Sequence, residues 1–156
     1  MSDLANYLLV NNDMMSSKQK GNITEVECML AFLKLGYNVL TPYGDCERYD
    51  FVVDLNGKLL RIQVKTASIS IDNSYIEITC ANKTTRNGKF VRHAYDETQI
   101  DYFMTSYNNE CYLIPVGECS LAKRLRFIPP KNGQIQGITF ATEYELEKVV
   151  NKIINK

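Results

Sequence analysis

The sequence predicts an α/β or α+β fold: an N-terminal helix on a central mixed β-sheet, with a second helix closing the chain. Three observations carry this. A capped segment with apolar residues at helical spacing lies near the start. The middle is a succession of short alternating runs separated by Asn-Gly, Asn-Asn and Pro-containing turns. The chain ends in a second apolar stripe at helical spacing. At 156 residues the chain is long enough to bury a core without disulfides or a structural metal. The expected division is an arm or short helix over residues 1–16 and one domain over residues 17–156.

The elements follow in order. Ser16 and Gln19 fit a capping box, so a helix is expected from about Ser17 to Leu35, with Gly36 as its stop. Ile23, Val26, Leu30 and Leu33 form its main apolar stripe. Glu25 lies off that stripe, in a column with Met29 and Phe32. Tyr37–Thr41 reads as a strand cut off by Pro42 and Gly44. Tyr49–Leu55 and Lys58–Ala67 read as two strands around Asn56-Gly57, the strongest short hairpin signal. Tyr75–Cys80 alternates as a strand, and the basic stretch after it reads as a loop. Tyr102–Tyr107 and Cys111–Val116 read as strands around Asn108-Asn109. Residues 129–133 read as a loop. Thr142 and Glu145 fit a capping box for a last helix whose stripe is Leu146, Val149, Val150, Ile153 and Ile154.

Charge and cysteine usage narrow the function classes. The net charge is zero, which argues against a protein that coats nucleic acid over its whole surface. The charge is unevenly spread, however: residues 1–57 carry a net −4, residues 58–93 a net +5 and residues 94–156 a net −1. The run from Lys83 to His93 has no acid. It fits either a solvated loop or a phosphate-contacting patch. Cys28, Cys46, Cys80, Cys111 and Cys119 form no CxxC pair and His93 is the one histidine, so a zinc site is not expected. Five thiols without a basic, cleavable leader fit a reducing cytoplasm, and no apolar run is long enough for a membrane helix.

The hairpin carries the chemistry. A two-residue turn at Asn56-Gly57 sets Asp54 opposite Leu59, Val52 opposite Arg61 and Asp50 opposite Gln63. Strand alternation then divides the residues. Phe51, Val53, Leu60, Ile62 and Val64 make a core face, and Asp50, Gln63 and Lys65 share the other. Asp50 and Gln63 become cross-strand neighbours about 5 Å apart at Cβ. A carboxylate, an amide oxygen and a lysine in one place suit metal-assisted hydrolysis around a hard cation such as Mg²⁺. The same pattern also fits a polar, solvated hairpin face.

Taken together, Lys20-Gly21-Asn22-Ile23-Thr24-Glu25, Leu35-Gly36-Tyr37-Asn38-Val39, Pro42-Tyr43-Gly44-Asp45, Tyr49-Asp50-Phe51-Val52-Val53-Asp54 and Ile62-Gln63-Val64-Lys65-Thr66 resemble the PD-(D/E)XK nuclease superfamily. The resemblance is closest to its group I intron homing endonuclease branch. Gln99-Ile100-Asp101-Tyr102-Phe103, Tyr112-Leu113-Ile114-Pro115 and Leu125-Arg126-Phe127 extend it. The resemblance implies a restriction-endonuclease-like core and an Mg²⁺- or Mn²⁺-dependent endodeoxyribonuclease. It implies Glu25, Asp50 and Gln63 as metal ligands and Lys65 as the catalytic lysine, with Glu27 as the competing helix acid. Two departures stand out. Gln63 replaces the usual acid of the (D/E)XK motif, and Pro42 is not adjacent to Asp50. The implied partner is duplex DNA, cut by a homodimer or tetramer. Lys83, Arg86, Lys89 and Arg92 are the first candidates for DNA contact, then Lys123, Arg124 and Arg126. Two alternatives remain: a catalytically inactive binding module on the same fold, and a Holliday-junction-resolvase-like enzyme.

Overall fold

Ser16 opens the first helix as its spacing predicts. Its side chain accepts from the Gln19 amide, and the Gln19 side chain reaches back to the Ser16 N–H. This helix, α1, spans Ser17–Lys34. It stops where Gly36 takes φ +85°, a conformation open to glycine at no steric cost. The computed structural model describes residues 15–155, so the arm expected over residues 1–16 falls almost wholly outside the described residues.

Ten strands follow: β1 (Asn38–Leu40), β2 (Phe51–Leu55), β3 (Lys58–Val64), β4 (Ser68–Ile69), β5 (Tyr75–Thr79), β6 (Ala81–Arg86), β7 (Lys89–Ala94), β8 (Tyr102–Tyr107), β9 (Glu110–Pro115) and β10 (Ala122–Arg126). A short helix, α2, covers Leu146–Ile154. The central sheet has the order β1-β2-β3-β8-β9 and is mixed, because β3 and β8 run parallel while the other neighbours are antiparallel. A second sheet has the order β10-β5-β4, and β6 and β7 form a separate two-stranded ribbon.

The central sheet is covered on both faces. One face carries Phe51, Val53, Ile62 and Leu113 against Phe32 of α1 and Val149 and Val150 of α2. On the other, Phe103 and Ile114 pack with Ile76, Ile78 and Leu125 of the second sheet. This is why β3, in the middle, is closed to water over much of its length.

Several expectations need correction. The stripe Ile23, Val26, Leu30 and Leu33 is not the core face of α1: all four are exposed, between 43% and 58%. The sheet is met instead by Thr24, Cys28 and Phe32. Apolar residues occur on two faces of this helix, and spacing alone cannot say which one the sheet takes. The strand expected to reach Ala67 ends at Val64. The stretch read as a basic loop is the β6–β7 ribbon. It turns at Asn87-Gly88, a second Asn-Gly with both residues at positive φ, as a two-residue hairpin requires. Strand β10 was not expected at all. The Thr142–Glu145 capping box does not form. Tyr144 gives its carbonyl to the Leu113 amide, so the last helix starts only at Leu146. Its Leu146, Val149, Val150 and Ile153 are buried as predicted, whereas Ile154 is exposed. Among the described residues no helix is long and apolar enough to cross a membrane.

Candidate active site

The hairpin register is the one its turn dictates. Phe51 pairs with Ile62 and Val52 with Arg61, and Asn56 and Gly57 both take positive φ. The Asp50 amide donates to the Ile62 carbonyl at 2.8 Å, extending the ladder by one step beyond β2. Asp50 and Gln63 therefore meet. The Gln63 Nε2 donates to Asp50 Oδ2 at 2.6 Å, and the Val64 amide donates to the same oxygen at 2.6 Å. Asp50 is clamped by two N–H groups on one oxygen, and Oδ1 has no hydrogen-bond partner among the described residues.

Lys65 follows at the exit of β3. Its amide donates to Met104 of β8, which fixes the backbone there, and its ammonium lies 5.3 Å from the centre of the Tyr95 ring. Tyr95 is buried and packs edge-on against Phe103. Its hydroxyl donates to Asn82 Oδ1 at 2.6 Å and lies 3.3 Å from Gln63 Oε1. Tyr95 is thus a member of the site that sequence reading missed. Its signal was slight: an aromatic residue just after the basic stretch.

Helix α1 brings the third acid. Thr24, buried, sits 3.4 Å from the Thr66 hydroxyl, tying the helix to the chain just after Lys65. Glu25, the next residue, is half-buried. The competing acid, Glu27, is taken up by a hydrogen bond from Ser106 on β8. Among the described residues Glu25 has no such partner.

The electrostatics match this convergence. Burial raises the Glu25 carboxyl above its ordinary value, and the Asp50 charge raises it further. Burial also raises Asp50, against the opposing pull of the Val64 N–H and the Lys65 ammonium. Burial lowers the Lys65 ammonium, against the Asp50 charge. Two desolvated carboxylates that repel each other suit a hard divalent cation; the Gln63 amide beside them turns its Nε2 to Asp50 in this structure and would offer its oxygen to a cation only with the amide turned over. Among the described residues no group of three or more His, Cys, Asp and Glu is placed to hold a metal ion.

The basic residues divide into two groups. Lys83, Lys89 and Arg92 are exposed on the β6–β7 ribbon, and none is in an ion pair among the described residues; Arg86 ends β6 opposite Lys89. Lys123, Arg124 and Arg126 lie on β10, outside the ribbon, and are already engaged. Lys123 pairs with Glu118 at 3.6 Å, Arg124 pairs with Glu77, and Arg126 lies over the Tyr75 ring and donates to Ser74. Arg61, on the polar side of the hairpin, is held by Asp101 through Nε at 3.1 Å and Nη2 at 3.0 Å. That pair fastens β3 to the turn before β8.

A family model described as PD-(D/E)XK endonuclease matches residues 15–147. Among solved structures the chain is similar to a bacterial homing endonuclease, I-Ssp6803I. The two share a TM-score of 0.74 and 23% identity over 91% of this chain and 98% of that one. No match is found among curated proteins. At that identity the solved neighbour speaks for the fold, an α+β restriction-endonuclease-like core with a mixed sheet between N- and C-terminal helices. The family model spans most of the chain, from the capped start of α1 to the first turn of α2. On that ground the chain belongs to the PD-(D/E)XK endonuclease family.

Proposed function

We propose that this protein is a divalent-metal-dependent endonuclease that hydrolyses phosphodiester bonds of duplex DNA at selected sites. The observation that carries the reading is the meeting of Glu25, Asp50, Gln63 and Lys65 from three elements that only the folded chain brings together.

Glu25 and Asp50 would hold Mg²⁺ or Mn²⁺, with the Gln63 carboxamide oxygen as a neutral third donor. When bound, such a cation lowers the pKa of water and offsets charge on a phosphate. The chain's own residues do the rest. Asp50 is held in place because the Val64 N–H and Gln63 bind one of its oxygens. Lys65, half-buried, donates to a phosphoryl oxygen as negative charge builds there, which is worth more in a desolvated site than in water. Water attacks phosphorus and the P–O3′ bond breaks. The water proton passes to solvent and the 3′ oxygen is protonated, giving 5′-phosphate and 3′-hydroxyl ends. Lys83, Arg86, Lys89 and Arg92 contact the duplex, with Lys123, Arg124 and Arg126 as outlying contacts. Site-selective cleavage is supported by the homing endonuclease neighbour, and it outranks the resolvase-like alternative for that reason.

Cleavage of both strands needs two such centres, so the working unit is a homo-oligomer. The exposed stripe Ile23, Val26, Leu30 and Leu33 has the alternating three- and four-residue spacing of a two-helix seam. We assign it to the α1 of a second copy.

The test is cleavage of a plasmid library with Mg²⁺, followed by sequencing of the ends. Lys65→Ala is expected to lower the rate by about 10²–10³-fold, the usual loss of one transition-state donor. Asp50→Ala should remove cleavage and Mg²⁺ binding together. Full activity in both variants would overturn the assignment. The missing acid at Gln63 is the observation that favours the alternative of a non-catalytic binding module. A calorimetric titration that finds no Mg²⁺ or Mn²⁺ binding, even with DNA present, would decide for that alternative.

A further inference from the structure

The β6–β7 ribbon joins neither sheet of the protein. Its two strands are six residues each, about 20 Å long at ~3.3 Å per residue. No acid occurs between Ala81 and Tyr95. Its register sets Lys83 directly opposite Arg92 and Arg86 directly opposite Lys89. Like charges opposite each other weaken a strand pair, and an isolated two-stranded hairpin is marginal in water. The outer half has little packing of its own: Phe90 is 81% exposed and Lys83, Thr84, Thr85 and Lys89 are exposed. Such a ribbon is stabilised by an anionic partner that lies along it.

The register also separates two faces. Asn82, Thr84, Lys89, Val91 and His93 occupy positions of one face; Lys83, Thr85, Phe90 and Arg92 occupy the other. Asn82 marks the first face as continuous with the catalytic centre, because the Tyr95 hydroxyl that binds it also touches Gln63. A duplex whose phosphate sits at Asp50 and Lys65 therefore runs onto the Asn82 face.

We propose that the β6–β7 ribbon lies in the major groove of the DNA, with Thr84, Lys89 and His93 reading base edges while Lys83 and Arg92 grip the phosphates of the two groove walls. The major groove is about 12 Å wide and admits a two-stranded ribbon, whose strands are ~4.8 Å apart. Lys83 is on one strand and Arg92 on the other, so their long side chains reach opposite walls. Hydroxyl, ammonium and imidazole groups in one row are donors and acceptors matched to base edges. The proposal rests on the DNA-cutting reading for the presence of duplex DNA, and its test does not depend on cleavage.

The experiment is selection of bound duplexes from a random library by the full-length protein, with Ca²⁺ replacing Mg²⁺ so that DNA is not cut. All five side chains are exposed, so each variant is expected to keep the wild-type melting curve. The wild type should enrich a motif. Lys89→Ala, His93→Ala and Thr84→Ala should each relax preference at neighbouring positions within one stretch of a few base pairs, by roughly 10-fold or more. Lys83→Ala with Arg92→Ala should leave the motif intact. That pair should weaken all sequences alike and lower the slope of log affinity against log salt by about 2. A wild type that enriches no motif, or a motif unchanged by all three variants of the Asn82 face, overturns the proposal. Failure of the nuclease reading is seen separately, as a wild type that shows no Mg²⁺-dependent plasmid cleavage.

Discussion

The Asp50 carboxylate is pulled in two directions. Burial raises its pKa, while the Val64 N–H and Lys65 lower it, and burial prevails. Glu25 is raised too, by burial and then by Asp50 itself. Raised carboxyl values mean that the fold favours the protonated forms, so without metal these two groups favour the folded state less as pH rises through their folded values. A cation reverses this, because it needs both groups ionised. Mg²⁺ affinity is therefore expected to fall as pH is lowered, over a window that begins above the ordinary values of 3.8 for Asp and 4.5 for Glu. Calorimetric titrations across acidic to neutral pH read this directly, and a midpoint at or below the ordinary values would contradict it. Tyr95 supplies a second residue-scale prediction. Its hydroxyl has one proton and two oxygen neighbours, Asn82 and Gln63, so it sets which way the Gln63 amide turns. Tyr95→Phe keeps the ring contact with Phe103 and is expected to weaken Mg²⁺ binding by roughly 10-fold, as losses among groups that orient ligands do. An unchanged Mg²⁺ titration would remove Tyr95 from the site.

At the scale of elements, α1 has two apolar faces with different duties. The face through Cys28 and Phe32 closes the core, and Phe32 meets Phe51 edge-on at 6.1 Å between ring centres. Phe32→Ala is expected to cost about 3–5 kcal/mol. Leu33→Ala, on the exposed face, should stay within about 0.5 kcal/mol in the monomer. Urea melts of both variants at low protein concentration make the comparison, and equal costs would mean that the face assignment is wrong. Elements also differ in how readable they were. Both hairpins turn on Asn-Gly, and the first was read correctly because alternating apolar residues flank it. The second, at Asn87-Gly88, is flanked by polar and basic residues, and so it read as a loop. Its strands have almost no apolar face because each side of the ribbon is largely open to solvent.

On the scale of the whole molecule, zero net charge conceals separate patches. Acids such as Glu25 and Asp50 offset a ribbon whose Lys83, Lys89 and Arg92 have no ion-pair partner among the described residues. The α1 seam gives the corresponding prediction for assembly. Val26→Glu with Leu30→Glu should convert the sedimenting species from an oligomer to a monomer, with little change in the urea midpoint of the monomer; a wild type that is already monomeric rejects the seam. The order of helix, meander and helix, and the hairpin register that sets Asp50 against Gln63, were legible in the chain alone. They were so because a two-residue turn and strand alternation are local rules. Which face of α1 meets the sheet, that Glu27 is taken up by Ser106 while Glu25 has no such partner among the described residues, and that Tyr95 joins Gln63 to the ribbon were set by tertiary packing. Those outcomes depend on packing between segments far apart in the chain, and local spacing carries no information about which distant surface a side chain will meet.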